Sequence, residues 1–154
     1  MVPPKRISTK AKTSIGWREW ASLPELGVDA VKVKVDTGAR TSALHAFRLR
    51  HHTVDGRPWV RFEIHPAQHR RHGLVVADAP VLCWRRVRSS NGEVQNRPVI
   101  LTEIAIGDHH WPIEVTLTDR DEMGFRMLLG RAAVRRRFLV DPGRSYLLGG
   151  RDPR

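Results

Sequence analysis

The stretch Val31-Lys32-Val33-Lys34-Val35-Asp36-Thr37-Gly38-Ala39 alternates apolar and charged residues as far as Val35, then breaks into a carboxylate, a hydroxyl and a glycine. Period-two alternation of β-branched residues predicts a strand with one face in a core. Such a strand holds Asp36 rigidly at the core's edge. Gly38 permits a sharp turn and brings a backbone N–H toward the carboxylate. The Thr37 hydroxyl can tie the loop. A carboxyl fixed in this way suits general acid–base chemistry. As a bare tripeptide, Asp-Thr-Gly is more often an ordinary turn, so the rest of the chain has to decide.

Outward from this strand the chain reads as short strands joined by turns. Residues 1–13 form a basic N-terminal tail, and residues 14–150 one domain. Ile15 to Trp20 reads as a strand, and Ser22 to Gly27, with Pro24, as a turn. Ala43 to Leu49 is a strand, Asp55-Gly56 a hairpin turn and Trp59 to Ile64 the return strand. Residues 65–73, with His65, His69, Arg70, Arg71 and His72, read as a polar loop. Leu74 to Val76 and Pro80 to Arg88 suggest further strands, and Asn91-Gly92 is the strongest hairpin signal in the chain. Pro98 to Ile106 and Trp111 to Thr118 pair about Gly107-Asp108. Met127, Leu128 and Leu129 run into Gly130, and Arg131 to Arg137 suits one short helix. Phe138 to Val140, Pro142-Gly143 and Tyr146 to Leu148 suggest a last hairpin. The expected class is all-β, a barrel or sandwich with one short helix.

Composition narrows the function. A chain of 154 residues with 40% apolar residues supports one core. Lys and Arg number 27 against 16 Asp and Glu, a formal charge of +11. The excess is nearly all arginine, since no lysine follows Lys34. It reads either as codon bias or as an anionic partner, nucleic acid or acidic peptide. The single cysteine, Cys83, excludes an internal disulfide framework and a cysteine-based zinc cluster, and fits a reducing compartment. No apolar stretch is long enough to span a membrane, and no signal-peptide core follows the basic tail. A soluble cytoplasmic protein with no membrane partner is the expectation.

The order of motifs then becomes specific. Val35-Asp36-Thr37-Gly38-Ala39 comes first, a hairpin with Asn91-Gly92 at its tip follows, then the strand pair 98–118, then Leu128-Leu129-Gly130-Arg131 before a short helix. This order resembles the retropepsin-like aspartic proteases. Ile15-Gly16-Trp17-Arg18-Glu19-Trp20, Leu23-Pro24-Glu25-Leu26, the run Asp36 to Ala46, and Arg86 to Gly92 with Arg97-Pro98-Val99 are similar to one bacterial family within them. That family is labelled ATP-dependent zinc proteases and is also described as retropepsin-like aspartic endopeptidases. The resemblance covers roughly residues 15 to 148. It implies a small closed acid-protease barrel with one catalytic loop per subunit, over a retropepsin-like aspartic protease domain at 14–150.

Aspartic proteolysis needs two carboxyl groups sharing one proton; the ionised one takes a proton from water and the protonated one donates to the carbonyl oxygen. This chain has one Asp-Thr-Gly, so the resemblance implies a homodimer with Asp36 facing its copy across a two-fold axis. Asp36, Thr37 and Gly38 are the expected catalytic loop. In the resembled family the threonines hydrogen-bond across that axis. Ser89, Ser90, Asn91 and Gly92 are the expected flap tip over a peptide or protein substrate. Ala39, Arg40, Arg88 and Arg97 flank loop and flap as expected substrate contacts, the arginines suited to an acidic chain. The family also accompanies ATP-grasp ligases that add glutamates to a ribosomal protein, which points to glutamate-rich tails. Gly130 is expected to pack under the loop, and Arg131 to act as a structural ion-pair donor.

Metal and nucleotide are not expected as cofactors. No His-Glu-x-x-His occurs; His51-His52 and His109-His110 are adjacent pairs, which point to opposite faces of a strand. No glycine-rich phosphate loop ending in Lys-Ser/Thr occurs. His45 is expected to be packed or exposed rather than a base, Cys83 buried and inert, and the five tryptophans, among them Trp84 and Trp111, core or dimer contacts. The competing readings are a basic RNA- or ribosome-associated module and a non-catalytic peptide-binding dimer of the same fold.

Overall fold

The computed structural model describes residues 12–66, 73–89, 91–120 and 124–149. The chain forms strands β1 (Thr13–Gly16), β2 (Arg18–Leu23), β3 (Val28–Asp36), β4 (Ser42–His45), β5 (Phe47–Val54), β6 (Arg57–Ile64) and β7 (Val75–Pro80). It continues with β8 (Cys83–Arg88), β9 (Val94–Ile106), β10 (His109–Thr118), β11 (Met127–Gly130), the helical turn α1 (Arg131–Val134) and β12 (Phe138–Asp141). Seven strands make one sheet in the order β10-β4-β11-β3-β2-β9-β8, and an additional β10–β9 pairing closes six of them into a ring. β8 hangs outside the ring on β9. β5, β6 and β7 form a separate antiparallel sheet.

Local sequence accounts for much of this. In β3, Val31 and Val33 are fully buried while Lys32 and Lys34 are half-buried, the alternation expected of a strand with one face in a core. The Lys32 ammonium sits 5.5 Å from the Phe125 ring centroid, so even its outward face is covered by an aromatic. The Asp55-Gly56 hairpin has φ of 51° and 76°, both left-handed as a two-residue turn of this type requires. β9 is 13 residues long and serves three partners, β8 through Val94–Val99, β10 through Val99–Ile106 and β2 at Ala105. Residues 97–100 on it are buried without alternation, around Val99, where one pairing hands over to the other.

Several expectations differ in detail: Ala43 to Leu49 divides at Ala46 between β4 and β5, which lie in different sheets, and Pro80 closes β7 while β8 starts at Cys83. The run from Ile15 to Trp20 is two strands, broken at Trp17, whose carbonyl accepts the Val35 N–H at 2.8 Å. The helix expected over 131–137 is a single turn, because Arg135 leaves helical geometry at ψ 133°. The last hairpin does not form: β12 instead pairs in parallel with β1, Thr13 against Phe138 and Gly16 against Asp141.

Residues 147–149 are drawn instead to a buried carboxylate. Glu19 is 0% exposed. Its Oε2 accepts from Gly16 N–H at 2.7 Å and Leu147 N–H at 2.9 Å, and its Oε1 from Leu148 N–H at 3.1 Å and Gly149 N–H at 2.9 Å. A buried carboxylate is tolerated only with such donors, and these tie the end of the described chain across β2.

Candidate active site

Asp36 is the last residue of β3 and is half-buried. Its Oδ1 accepts the Gly38 N–H at 3.1 Å, and its carbonyl accepts the Ala39 N–H at 3.3 Å. Gly38 is needed for space rather than handedness, since a Cβ there would stand 3.2 Å from Asp36 Oδ1. The loop then runs out through Thr37 and Arg40 and returns as β4.

The frame under the loop is β11. Gly130 lies in parallel register beside Asp36. A Cβ on Gly130 would come within 2.5 Å of the Thr41 carbonyl carbon. Gly130 N–H donates to Ser42 Oγ at 3.0 Å, and Thr116 Oγ1 donates to the Ser42 carbonyl at 3.1 Å. The N–H groups of Arg131 and Ala132, which open α1 and lack partners within it, donate to the Ala39 and Arg40 carbonyls at 2.7 and 3.0 Å. Arg131 Nη1 donates to the Thr37 carbonyl at 3.0 Å. Arg131 therefore ties the loop through a backbone oxygen; among the described residues it forms no ion pair, contrary to expectation. The expected tie through the Thr37 hydroxyl is likewise absent among the described residues, and the Thr37 side chain is exposed.

Above the loop lies a cleft of about 670 Å³. Asp36, Gly38, Ala39 and Arg40 line one side, and Arg85, Arg86, Arg88, Ser89 and Asn91 of the β8–β9 hairpin line the other. Ser89, Asn91 and Gly92 make the tip of that hairpin: Gly92 N–H donates to the Ser89 carbonyl at 2.9 Å, and Glu93 N–H to Asn91 Oδ1 at 3.2 Å. Gly92 has φ 85°, which favours glycine, and faces away from the cleft lining. Ser90 lies outside the described residues. The sequence-predicted residues Ala39, Arg40, Arg88, Ser89 and Asn91 thus share one cleft with Asp36.

Arg97 also lines the cleft, but not as a mobile flap contact. It is 2% exposed, and its Nε donates to Gln95 Oε1 at 2.8 Å. Gln95 in turn accepts from Thr118 Oγ1 at 3.1 Å and donates to Asp119 at 3.2 Å. Arg97 belongs to the base of the hairpin, where β9 passes into the ring.

Sequence reasoning missed three lining arginines, Arg85, Arg86 and Arg120. Arg85 was legible from strand alternation in β8. It is the half-buried member of the Arg85-Arg86 pair, and its Nη1 donates to Thr41 Oγ1 at 3.0 Å while Nη2 stands 3.5 Å from Glu114 Oε2. Arg120 had no local signal. It follows the end of β10, and only the β10–β9 pairing carries it to the hairpin tip, where it pairs with Glu93 and donates to Ser89 Oγ at 3.4 Å.

The other singled-out residues lie elsewhere. His45 is 5% exposed, its Nε2 2.8 Å from the Asp119 carbonyl and its Nδ1 accepting from Arg126 Nη1 at 2.7 Å, so it is packed. His52 pairs with Asp78 at 2.8 Å, and His51 packs on Trp84 with centroids 4.9 Å apart. Trp84 is 48% exposed, unlike Trp111, which is 4% exposed and donates to the Ala133 carbonyl at 3.1 Å. Cys83 is half-buried rather than enclosed, 3.8 Å from Arg85 Nη2. His69, Arg70, Arg71 and His72 lie outside the described residues. Among the described residues no group of three or more His, Cys, Asp or Glu is placed to hold a metal ion, and no helix is long and apolar enough to cross a membrane.

Comparison with known proteins agrees with this geometry. Proteins named "Probable alpha-L-glutamate ligase" from Shewanella halifaxensis and Parasynechococcus marenigrum are 49% and 48% identical over 138 residues, 90% of this chain. The chain spans only 30% of the length of each. A Legionella pneumophila protein of unknown function has a crystal structure that superposes with a TM-score of 0.70 at 28% identity, covering 88% of this chain and 97% of that one. The model of the RimB-like family, retropepsin-like aspartic endopeptidase RimB, matches residues 14–149. With the Asp36-Thr37-Gly38 loop seated on Gly130 beneath a hairpin-roofed cleft, the chain belongs to the RimB-like family of retropepsin-like aspartic endopeptidases.

Proposed function

We propose that this protein is an aspartic endopeptidase that works as a homodimer and cuts acidic, glutamate-rich polypeptide. The observation that carries the reading is the position of Asp36. Its carboxylate is steered by one backbone N–H at the floor of a cleft whose opposite wall is a hairpin able to close on an extended chain. Asp36 and its copy share one proton. The ionised partner takes a proton from the attacking water, the protonated one donates to the carbonyl oxygen, and the tetrahedral intermediate collapses with protonation of the leaving amine. Thr37, exposed and making no hydrogen bond from its hydroxyl within the chain among the described residues, is free to bond across the two-fold axis. Gly38 and Gly130 hold the loop. Ser89, Ser90, Asn91 and Gly92 close over the substrate.

The acidic preference rests on charge. Arg40, Arg85, Arg86, Arg88, Arg97 and Arg120 line the cleft. A chain with a formal charge of +11 attracts anions, and guanidinium groups pair well with carboxylates. The name of the longer relatives supplies the same chemistry: glutamate is what those proteins are named for joining. That name belongs to molecules of which this chain spans under a third, so it informs the substrate and not the reaction.

The test compares cleavage of a glutamate-rich peptide with its glutamine counterpart, by wild type and by Asp36→Asn, across a salt series. Cleavage of the glutamate peptide by wild type alone, weakening as the Debye length shrinks below about 10 Å, is expected. Equal rates on both peptides at low salt would remove the acidic substrate. No cleavage by wild type, with peptide or RNA bound tightly, would turn the reading to a binding module.

A further inference from the structure

The basic lining of the cleft does not end at its mouth. Arg40 lines the cleft beside Asp36 and also lines a second, open recess of about 530 Å³ with Arg131, Ala132, Arg135 and Arg136. The two depressions share this residue, so the recess adjoins the cleft at Arg40.

Two observations mark the recess as more than a solvated face. The first is unneutralised charge. Several other exposed or half-exposed arginines have a carboxylate beside them: Arg48 has Glu63 at 3.3 Å, Arg85 has Glu114 at 3.5 Å, and Arg144 has Asp141 at 3.9 Å. Among the described residues no carboxylate forms an ion pair with Arg40, Arg131, Arg135 or Arg136, and all four are exposed. Arg131 and Arg135 stand four apart, with the Arg135 N–H on the Arg131 carbonyl at 2.9 Å, so their side chains emerge on one side. Like charges on one side repel, and among the described residues only the Thr37 carbonyl that Arg131 reaches offsets them.

The second is backbone conformation. Arg136 has φ 68°. This left-handed position just after a helical turn ordinarily falls to glycine or asparagine, because an L side chain there is strained. Glycine would relax the backbone, yet the position carries an arginine that lines the recess. Strain retained at a charged surface residue points to a use for the side chain.

We propose that Arg40, Arg131, Arg135 and Arg136 form an exosite that takes the carboxylates of an acidic polypeptide continuing out of the active-site cleft. The proposal rests on reading the cleft as an acidic-peptide site. It deepens that reading by making long acidic chains bind better than short ones. Among the described residues no aromatic side chain lines the recess to serve as a platform for base stacking, which favours polypeptide over single-stranded nucleic acid.

The experiment measures binding of fluorescein-labelled oligoglutamates by anisotropy at low salt, in the Asp36→Asn background so that no substrate is consumed. One probe has about four residues and spans the cleft alone, and one has about ten and reaches roughly 33 Å when extended. The decaglutamate should bind more tightly than the tetraglutamate. Arg136→Gly, whose backbone is relaxed by the change, and Arg135→Gln should each weaken the long probe by about threefold, and the pair by about tenfold. The short probe should be unmoved, and Tm for Arg136→Gly should hold or rise. Arg57→Gln removes the same charge from the distant β5–β6 hairpin and should change neither probe. Equal affinities for the two probes, or an equal loss with Arg57→Gln, would overturn the exosite. So would tighter binding of a single-stranded RNA of matched charge that depends on the same arginines. Wild-type cleavage is scored separately: length-dependent binding through Arg135 and Arg136 without cleavage keeps the exosite and discards the peptidase, and cleavage without length dependence does the reverse.

Discussion

Gly130 stands beside Asp36 in parallel register, and the space a methyl group would need there is already filled by the Thr41 backbone, 2.5 Å from the virtual Cβ. Gly130→Ala must therefore push the Asp36 loop outward. The expected cost is about 1–3 kcal/mol, typical of overpacking against backbone. A lower denaturation midpoint at unchanged m-value would record it. Peptidase activity should fall further than stability does, because the displaced loop carries the carboxylate proposed to react.

Asp36→Asn should leave the fold intact. The side chain is half-buried and makes one hydrogen bond within the chain among the described residues, which the amide oxygen can still accept from Gly38 N–H. Hydrolysis should fall by at least about a thousandfold, since the amide cannot exchange a proton with water or substrate. A Tm close to wild type with activity retained would take Asp36 out of the mechanism.

Mixing wild-type and Asp36→Asn subunits tests the dimer. If each site draws one carboxyl from each chain, an equal mixture left to exchange has roughly a quarter of its dimers fully competent. Specific activity should also fall on dilution below the dimer dissociation constant. Activity of the mixture at half the wild-type value, independent of dilution, would mean that each chain works alone.

Glu93→Gln should strengthen binding of acidic peptides. Arg120 lines the cleft but is held by Glu93 at the hairpin tip. Removing that carboxylate frees a guanidinium for substrate and loosens the tip. The gain should be about threefold in affinity at low salt, small because the pair is solvent-exposed. Faster hydrogen exchange at the Ser89 and Gly92 amides would report the loosened tip; unchanged affinity would show that Arg120 does not reach substrate.

Glu19→Ala should be among the most damaging single changes. It leaves the N–H groups of Gly16, Leu147, Leu148 and Gly149 without their acceptor in a dry site. A loss of about 3 kcal/mol or more is expected, with early proteolysis after residue 144. Glu19→Gln, which keeps an acceptor oxygen, should cost less.

Much of the site was legible because it is local. Val31 to Val35 announces its strand by alternation, and Asp36-Thr37-Gly38 announces the loop by residue type. Asn91-Gly92 announces the hairpin because one residue there needs positive φ, as Gly92 has. What escaped depends on partners far along the chain. Arg120 reaches the hairpin only through the β10–β9 pairing. Arg97 reads as a surface cation, yet it lies on β9 two residues before the handover from β8 to β10 at Val99, and it is 2% exposed. Tyr146 to Leu148 has strand-like composition, but the Tyr146 N–H goes to the Arg18 carbonyl and the Leu147 and Leu148 N–H groups to Glu19, all more than 120 residues earlier, and no local pattern encodes that choice. Arg131 was read as an ion-pair donor because charge is visible in a sequence, whereas the Thr37 carbonyl that it binds is not.

The bond between Glu19 and Leu148 spans 129 residues, and that separation sets a timetable. A chain made from its N-terminus presents Glu19 early and its donors at residues 147–149 only after every described strand. Until residues 147–149 have been synthesised, Glu19 has only the Gly16 N–H of its four backbone donors, and burying β2 leaves most of its charge unanswered. β2 pairs with β3, and β3 aims Asp36. A nascent or truncated chain thus contains the Asp-Thr-Gly loop but not the scaffold that holds it. The contacts that finish the scaffold behind the Asp36 loop thus come from residues made after every described strand.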